Sequence, residues 1–430
     1  MQSVTSETAI DTAPRAQTGA PVAVALYTVF LVSLLVDIGG AFGIKYATFA
    51  ILLLYLAVRS LRLQLSIPLS FVLVEGLLFL LAPVFFLFLA MAVFAVPPAD
   101  ALQHLTPFPI WLVYPLLIEM RSRDRILSIY TRTMLAGAVL TVIMFGLLVA
   151  LFLSGKVGVI AAINHFTDSH RLGFFGARPL GDHTFTFFPN VYFRWTLLLL
   201  PAALLAFFRV RTGQFMLFAA GILATVSTAA ILFLFLGVLW VAIEFYMRGA
   251  SRRLYVRKAL VLVLGVLLLA GALYSSGRGE IVSFALSKLS SRSMSTSIKL
   301  EHIHSIVTLL SNSIWTLLFG MGVGSSFYTT GTHSVVQYVE VSHFELVRQF
   351  GLLYASAFFL YCFALFVVVG RVDSLGKVLA ISMLCLFLAA GTNPLLISPV
   401  FFLIMAISRA YITLAAHNEP GGTSEPDAPS

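Results

Sequence analysis

Long apolar runs recur along most of the chain, and polar residues gather in the gaps between them. The runs fall at 21–37, 44–58, 68–96, 101–118, 133–154, 191–208, 213–226, 228–247, 258–275, 342–370, 377–393 and 397–415. Most approach or exceed the ~20 residues that a helix needs to cross the hydrocarbon of a bilayer. The runs are continuous, whereas the strands of a transmembrane barrel alternate between apolar and polar positions. The expected fold is therefore all-α, a polytopic membrane protein of about 12 transmembrane helices with a long outer loop containing short helices.

The polar gaps are of two kinds. One set is short and basic: Arg59 and Arg62; Arg121, Arg123, Arg125 and Arg132; Arg209 and Arg211; Arg248, Arg252, Arg253, Arg257 and Lys258; Arg371 and Lys377. The short gaps on the opposite side, such as Gly39–Lys45 and Pro97–Asp100, are nearly bare of cations. By the positive-inside rule, the basic side is cytoplasmic, and an even number of spans puts both termini there. Residues 1–20 and 417–430 read as disordered cytoplasmic tails flanking one transmembrane domain at 21–416. Two gaps are long, 155–190 and 276–341, and both fall on the outer side. Loops of that length without a domain of their own are usually functional.

Composition narrows the picture further. The chain of 430 residues is 60% apolar and only 10% charged, against about 25% in a soluble domain. Its net charge of +9 records membrane topology and does not suggest a nucleic-acid partner. Cys362 and Cys385 lie in apolar runs and form no disulfide or metal pattern. Glu75 sits inside an apolar run, where a carboxylate serves either a proton relay or a pairing with a neighbouring helix.

Ionisable groups concentrate in the stretch from Ser276 to Gly351. It carries Arg278, Arg292 and Lys299, then Glu301, His302 and His304. Next come Trp315, the turn Gly320-Met-Gly-Val-Gly324, and Ser342-His343-Phe344-Glu345. The glycine turn lacks the Lys and the preceding strand of a phosphate-binding loop. His302 and His304 flank one residue and point apart. His165, Asp168, His170, Asp182 and His183 show no metal-ligand spacing, so no metal site is expected. In the other long gap, Arg171 and Arg178 flank Phe174 and Phe175, and Arg194 follows Pro189-Asn190 at the head of a span.

This ordered set resembles the bacterial O-antigen polymerase and O-antigen ligase superfamily. Arg292, Trp315, Gly320-Met-Gly-Val-Gly and His343 stand in the family's order, and Pro189-Asn190 stands at the head of an earlier span. One departure is clear. The family often carries an Arg at the tight outer turn between two central spans, and here that turn reads Thr225-Val-Ser-Thr-Ala-Ala230. Arg194, Arg171 and Arg278 are the candidates to replace it.

The resemblance implies a glycosyltransferase-type polysaccharide polymerase at the outer face of the bacterial inner membrane. It would join polyprenyl-pyrophosphate-linked oligosaccharide repeat units in surface polysaccharide or exopolysaccharide synthesis. A ligase moving lipid-linked glycan to lipid A core is the sister reading. A lipid-linked glycan flippase or other transporter is the rival from another class. The implied partners are the lipid-linked donor and acceptor, the bilayer, and flippase or chain-length regulator proteins. No cofactor is implied. His343 is expected as the general base, because its unperturbed pKa of about 6.5 suits removal of a sugar-hydroxyl proton. Arg292 is expected beside it in catalysis. Arg194, Arg171, Arg278 and Glu345 are expected to bind substrate, the guanidinium fork matching phosphate oxygens. Glu345, two residues from His343 on one helix, is not expected to touch it.

Overall fold

The structure, a computed structural model, describes residues 19–62, 71–179, 187–247 and 294–418. The expected span at 258–275, both expected disordered tails for most of their length, and the candidates Arg278 and Arg292 lie outside the described residues.

The chain is mostly helical, and eight of the described helices are long and apolar enough to cross a membrane. They are Ala20–Asp37, Ile44–Leu61, Leu73–Phe94, Pro98–Glu119, Arg123–Leu153, Thr228–Phe245, Ser342–Val372 and Pro399–His417. Three shorter apolar helices, Thr196–Phe208, Thr212–Leu223 and Ser374–Ala389, pack among them. Large apolar side chains such as Leu54, Leu81, Phe88, Ile143 and Leu360 point outward, as expected where the surrounding solvent is lipid. Of these eight, the most enclosed is the last, Pro399–His417. It is wrapped by the helices at 98–119, 342–372, 374–389 and 123–153.

Local chemistry sets where the elements start and stop. Ser122 caps the Arg123–Leu153 helix by accepting the Arg125 N–H, so this helix begins ten residues before the apolar run does. Pro107 and Pro109 break the Pro98–Glu119 span into a helix, a 3₁₀ turn at Phe108–Leu112 and a second helix. The apolar run at 191–208 is not one helix. Its first residues complete a strand, Phe187–Phe193, and helix resumes only at Thr196. That strand pairs antiparallel with Gly173–Pro179, so the first long gap holds a β-hairpin besides the Val157–Ser169 helix. A second, three-residue hairpin joins Phe327–Thr329 to Ser334–Val336. Among the described residues, these two hairpins are the departures from an all-α fold.

The two ends of the bundle differ. At one end, among the described residues, ion pairs join helix to helix: Arg59–Glu119 at 2.9 Å, Arg123–Asp373 at 3.0 Å, Arg209–Asp124 at 2.8 Å and Lys377–Glu244 at 2.6 Å. Asp373 also caps the Ser374–Ala389 helix and accepts the Tyr411 hydroxyl. The other end carries the long connections. Gln337 donates to Asp100, Lys299 to the Thr392 carbonyl, and the Val191 N–H to the Ala224 carbonyl. Among the described residues, Arg59, Arg123, Arg209 and Lys377 of the basic gaps are thus tied at one end, and the described parts of the long loops fold onto the other.

Glu75 is buried and pairs with Arg409 at 2.7 Å, while Tyr361 donates to the same carboxylate at 3.2 Å. Of the two roles open for Glu75, the structure shows the pairing. The helix around it is wound as π-helix at Phe71–Glu75 and Leu77–Leu81. Tyr354 donates to the Leu78 carbonyl there.

Candidate functional site

The Ser342–Val372 helix is not continuous. Gly351, with φ 76° and ψ 169°, breaks it after two and a half turns. A break frees helical carbonyls, and these need new donors. The Arg348 carbonyl finds one in the Met321 N–H at 2.7 Å, from the glycine turn. The fit leaves no room for side chains. A Cβ on Gly320 would stand 2.6 Å from the Gln349 carbonyl oxygen, and one on Gly351 2.2 Å from the Leu318 carbonyl oxygen. Both glycines also hold positive φ. The turn is therefore a clasp on the helix break. Gly351→Ala is expected to prevent docking of the loop and to lower the amount of folded protein severalfold, as read by size-exclusion fluorescence of a tagged chain.

The nine-residue segment before the break carries His343, Glu345 and Arg348. Glu345 and Arg348 are fully buried and joined by two hydrogen bonds, Nη2 to Oε1 at 2.6 Å and Nε to Oε2 at 2.9 Å. Arg348 spends its remaining donors on the Ser325 carbonyl and hydroxyl and on the Gln337 carbonyl. Its guanidinium lies 4.5 Å from the Phe327 ring centroid. The Gln349 amide donates to Glu345 as well. This cluster fastens the 325–337 loop to the segment. Glu345 therefore has an internal partner and makes no contact with His343, as its place on the helix predicts.

His343 is half-buried at the head of the segment. Its ring meets Phe387 edge-on at 4.8 Å and Phe359 at 5.8 Å, and lies over Gly391. Ser342 fixes its backbone: the N–H donates to the Ala390 carbonyl, and the hydroxyl donates to the Asn393 carbonyl and accepts the Leu395 N–H. Among the described residues no group hydrogen-bonds the imidazole. Lys299 arrives from the Met294–Ser311 helix and donates to the Thr392 carbonyl at 3.0 Å, next to Gly391. Glu340 lies 3.4 Å from its ammonium. An imidazole with an aromatic floor, both nitrogens open and a lysine nearby can take up a proton from a bound hydroxyl.

A second cluster forms around the first hairpin. Arg171, at φ 54°, lays its backbone against Gly39 in the short turn between the first two helices. Lys45 begins the second helix; its ammonium donates to the Ile38 carbonyl at 2.7 Å and lies in the field of Asp37 and Arg194. Arg194 follows the strand, its N–H on the Leu172 carbonyl. The Arg194 side chain is exposed and stands in the field of Tyr192, Arg171 and Asp168. Arg171, Arg194 and Lys45 thus converge. The sequence signal for Lys45 was faint, a single cation in a gap that otherwise lacks them. Asn190, on the same strand, is fully buried, and among the described residues neither end of its amide is hydrogen-bonded. Such groups are rare and call for an explanation.

Two further residues escaped the sequence reading. Arg348 was signalled by its spacing from Glu345, which suits an ion pair on one helix face. Arg409 was signalled as the one cation in its apolar run. His302, buried, hydrogen-bonds Thr329 at 2.6 Å and so joins the Met294–Ser311 helix to the second hairpin, while His304 is exposed. Burial lowers the His302 pKa below its usual 6.5, against the pull of Glu340, Glu301 and Glu345. The unfolded chain therefore binds a proton at His302 before the folded one does. The contribution of His302 is whole above pH 6.5 and declines as pH falls below it. The protection factors of amides in 327–336, with the intrinsic pH dependence of exchange divided out, are expected to fall between pH 7 and 5, and less so in His302→Gln.

Among the described residues no group of three His, Cys, Asp or Glu is placed to hold a metal ion. No protein-family model matches the chain, and no curated protein matches it. The fold itself defines the class: a mostly helical, polytopic membrane protein.

Proposed function

We propose that the protein polymerises polyprenyl-pyrophosphate-linked oligosaccharides at the outer face of the bacterial inner membrane. In this reading the fold has about 12 spans: the eight long helices, the three shorter ones, and the apolar run at 258–275. Both termini are cytoplasmic, and the loop end is the outer one. The observation that carries the reading is the placement of His343. It stands at the loop end, on a segment clamped on two sides, with an aromatic floor and ring nitrogens that no described residue hydrogen-bonds. It serves as the base that deprotonates the acceptor hydroxyl.

The leaving group is a pyrophosphate, and positioned cations stabilise its departure. Arg171 and Arg194 take that role together with Lys45, which makes up for the arginine missing at 225–230. Arg292 and Arg278 stay in the proposal on the strength of the resemblance alone. Glu345 changes role: buried against Arg348, it positions the His343 segment and does not bind sugar. The energy of the linkage comes from the donor's own phosphate bond, so the proposal needs no metal or soluble nucleotide.

The sister reading, transfer of finished glycan by a ligase, uses the same site. The test is the size of lipid-linked glycan in a strain that lacks this gene and is complemented with wild type or His343→Ala. Single repeat units accumulating with the variant support a polymerase. Long lipid-linked chains that are never transferred support a ligase. Repeat units held on the cytoplasmic leaflet support a flippase and overturn the proposal.

A further inference from the structure

Beneath the Arg171–Arg194–Lys45 cluster lies an apolar groove of about 530 Å³ between the first helix and the Arg123–Leu153 helix. That volume is in the range of single-ligand sites. Leu35, Gly137 and Trp195 form its floor, and Val36 and Leu140 its lipid-exposed rim. Leu172 and Phe193 line its upper end. Each of these two is the chain neighbour of one of the arginines. An apolar slot with an exposed rim therefore ends at the backbone neighbours of Arg171 and Arg194, while Arg132 is the cation among its own lining residues.

The depth of the cluster matters as much. The Thr196–Phe208 and Thr212–Leu223 helices rise only about 20 Å at ~1.5 Å per residue, some 10 Å less than the hydrocarbon thickness. Their basic end is fixed by the Arg209–Asp124 pair. The hairpin is tied to their other end through the Val191 N–H and the Ala224 carbonyl. Arg194 and its neighbours are thus sunk into one leaflet. Irregular backbone and cations survive at that depth where protein or a polar group covers them. Two acidic groups are near. Asp37 is engaged by the Phe42 and Lys45 N–H groups, at 3.1 and 3.3 Å, and Asp168 is the other.

We infer that this groove holds the hydrocarbon chain of a single-chain lipid diphosphate, with the diphosphate under Lys45, Arg171 and Arg194. The inference rests on the proposed function for the identity of that lipid. A slot of this volume takes part of one chain and not the paired chains of a phospholipid. Three cations on one head favour a diphosphate over a phosphodiester with a single charge.

The test uses the full chain in detergent micelles and a C20 isoprenoid diphosphate carrying a diazirine at the chain end. Labelling is expected to map to the helices at 19–37 and 123–153. It should fall at least tenfold in Arg171→Gln/Arg194→Gln and in Leu140→Trp, which plugs the slot from its exposed rim. His343→Ala should label like wild type, so loss of polymerisation and loss of lipid binding are read separately. Excess unlabelled diphosphate should compete, whereas the corresponding alcohol and phosphatidylglycerol should not. Three results would overturn the inference: equal competition by the alcohol, equal competition by phosphatidylglycerol, or unchanged labelling in both groove variants. So would loss of labelling only in Arg132→Gln, because Arg132 lines the far end of the slot and would then hold the head.

Discussion

Replacing His343 with alanine is expected to abolish polymer while leaving the protein in the membrane at its normal level. Loss of a general base typically costs about 10²–10⁴ in rate, enough to erase long chains in a cell. The fold should tolerate the change, because the ring is half-exposed and no described residue hydrogen-bonds it. What it does supply is packing against Phe387 and Phe359. His343→Phe separates the two contributions, since it restores an aromatic ring without a basic nitrogen. Both variants should leave single lipid-linked repeat units, sized by gel electrophoresis of extracted lipid-linked glycan. Normal polymer from either one, at equal membrane level, removes His343 from the chemistry.

Much of this geometry was legible before the structure, and the reasons are local. Continuous apolar runs mark spans because a helix in lipid must satisfy its own backbone. One-sided Arg residues at 59, 121–125, 209 and 371 mark one end of the bundle, and there Arg59, Arg123 and Arg209 find their carboxylates. The glycine turn was legible as a turn. Its partner was not, because Gly351 reads as an ordinary glycine in a helical run until the loop is docked on it. The hairpin at 173–193 was hidden for a similar reason. Phe187–Phe193 is as apolar as the helix that follows, and a short apolar run does not declare its period. The convergence of Lys45 with Arg171 and Arg194 depends on a contact between distant gaps, Gly39 against Arg171, which no local pattern announces. The pairing of Glu75 with Arg409 joins residues on the third and last spans and was equally out of reach.

Glu345 and Arg348 give the second large effect, and it should separate from the first. Arg348→Met leaves a carboxylate with no exposed surface and no cation, a loss that typically costs about 3–5 kcal/mol. It also strips the Ser325 and Gln337 carbonyls of their donor. The loop should then detach from the helix break, and the thermal midpoint of the purified protein should fall by several degrees, with less protein in the membrane. Replacing both partners, Glu345→Met with Arg348→Met, removes the stranded charge and should recover a large part of that stability. The double variant also decides what Glu345 does. If Glu345 only positions the His343 segment, polymer made per folded molecule should return along with the thermal midpoint. If Glu345 binds substrate, the midpoint should return and the polymer should not. Recovery of neither would mean that the three backbone and hydroxyl contacts of Arg348, more than the ion pair, hold the loop in place.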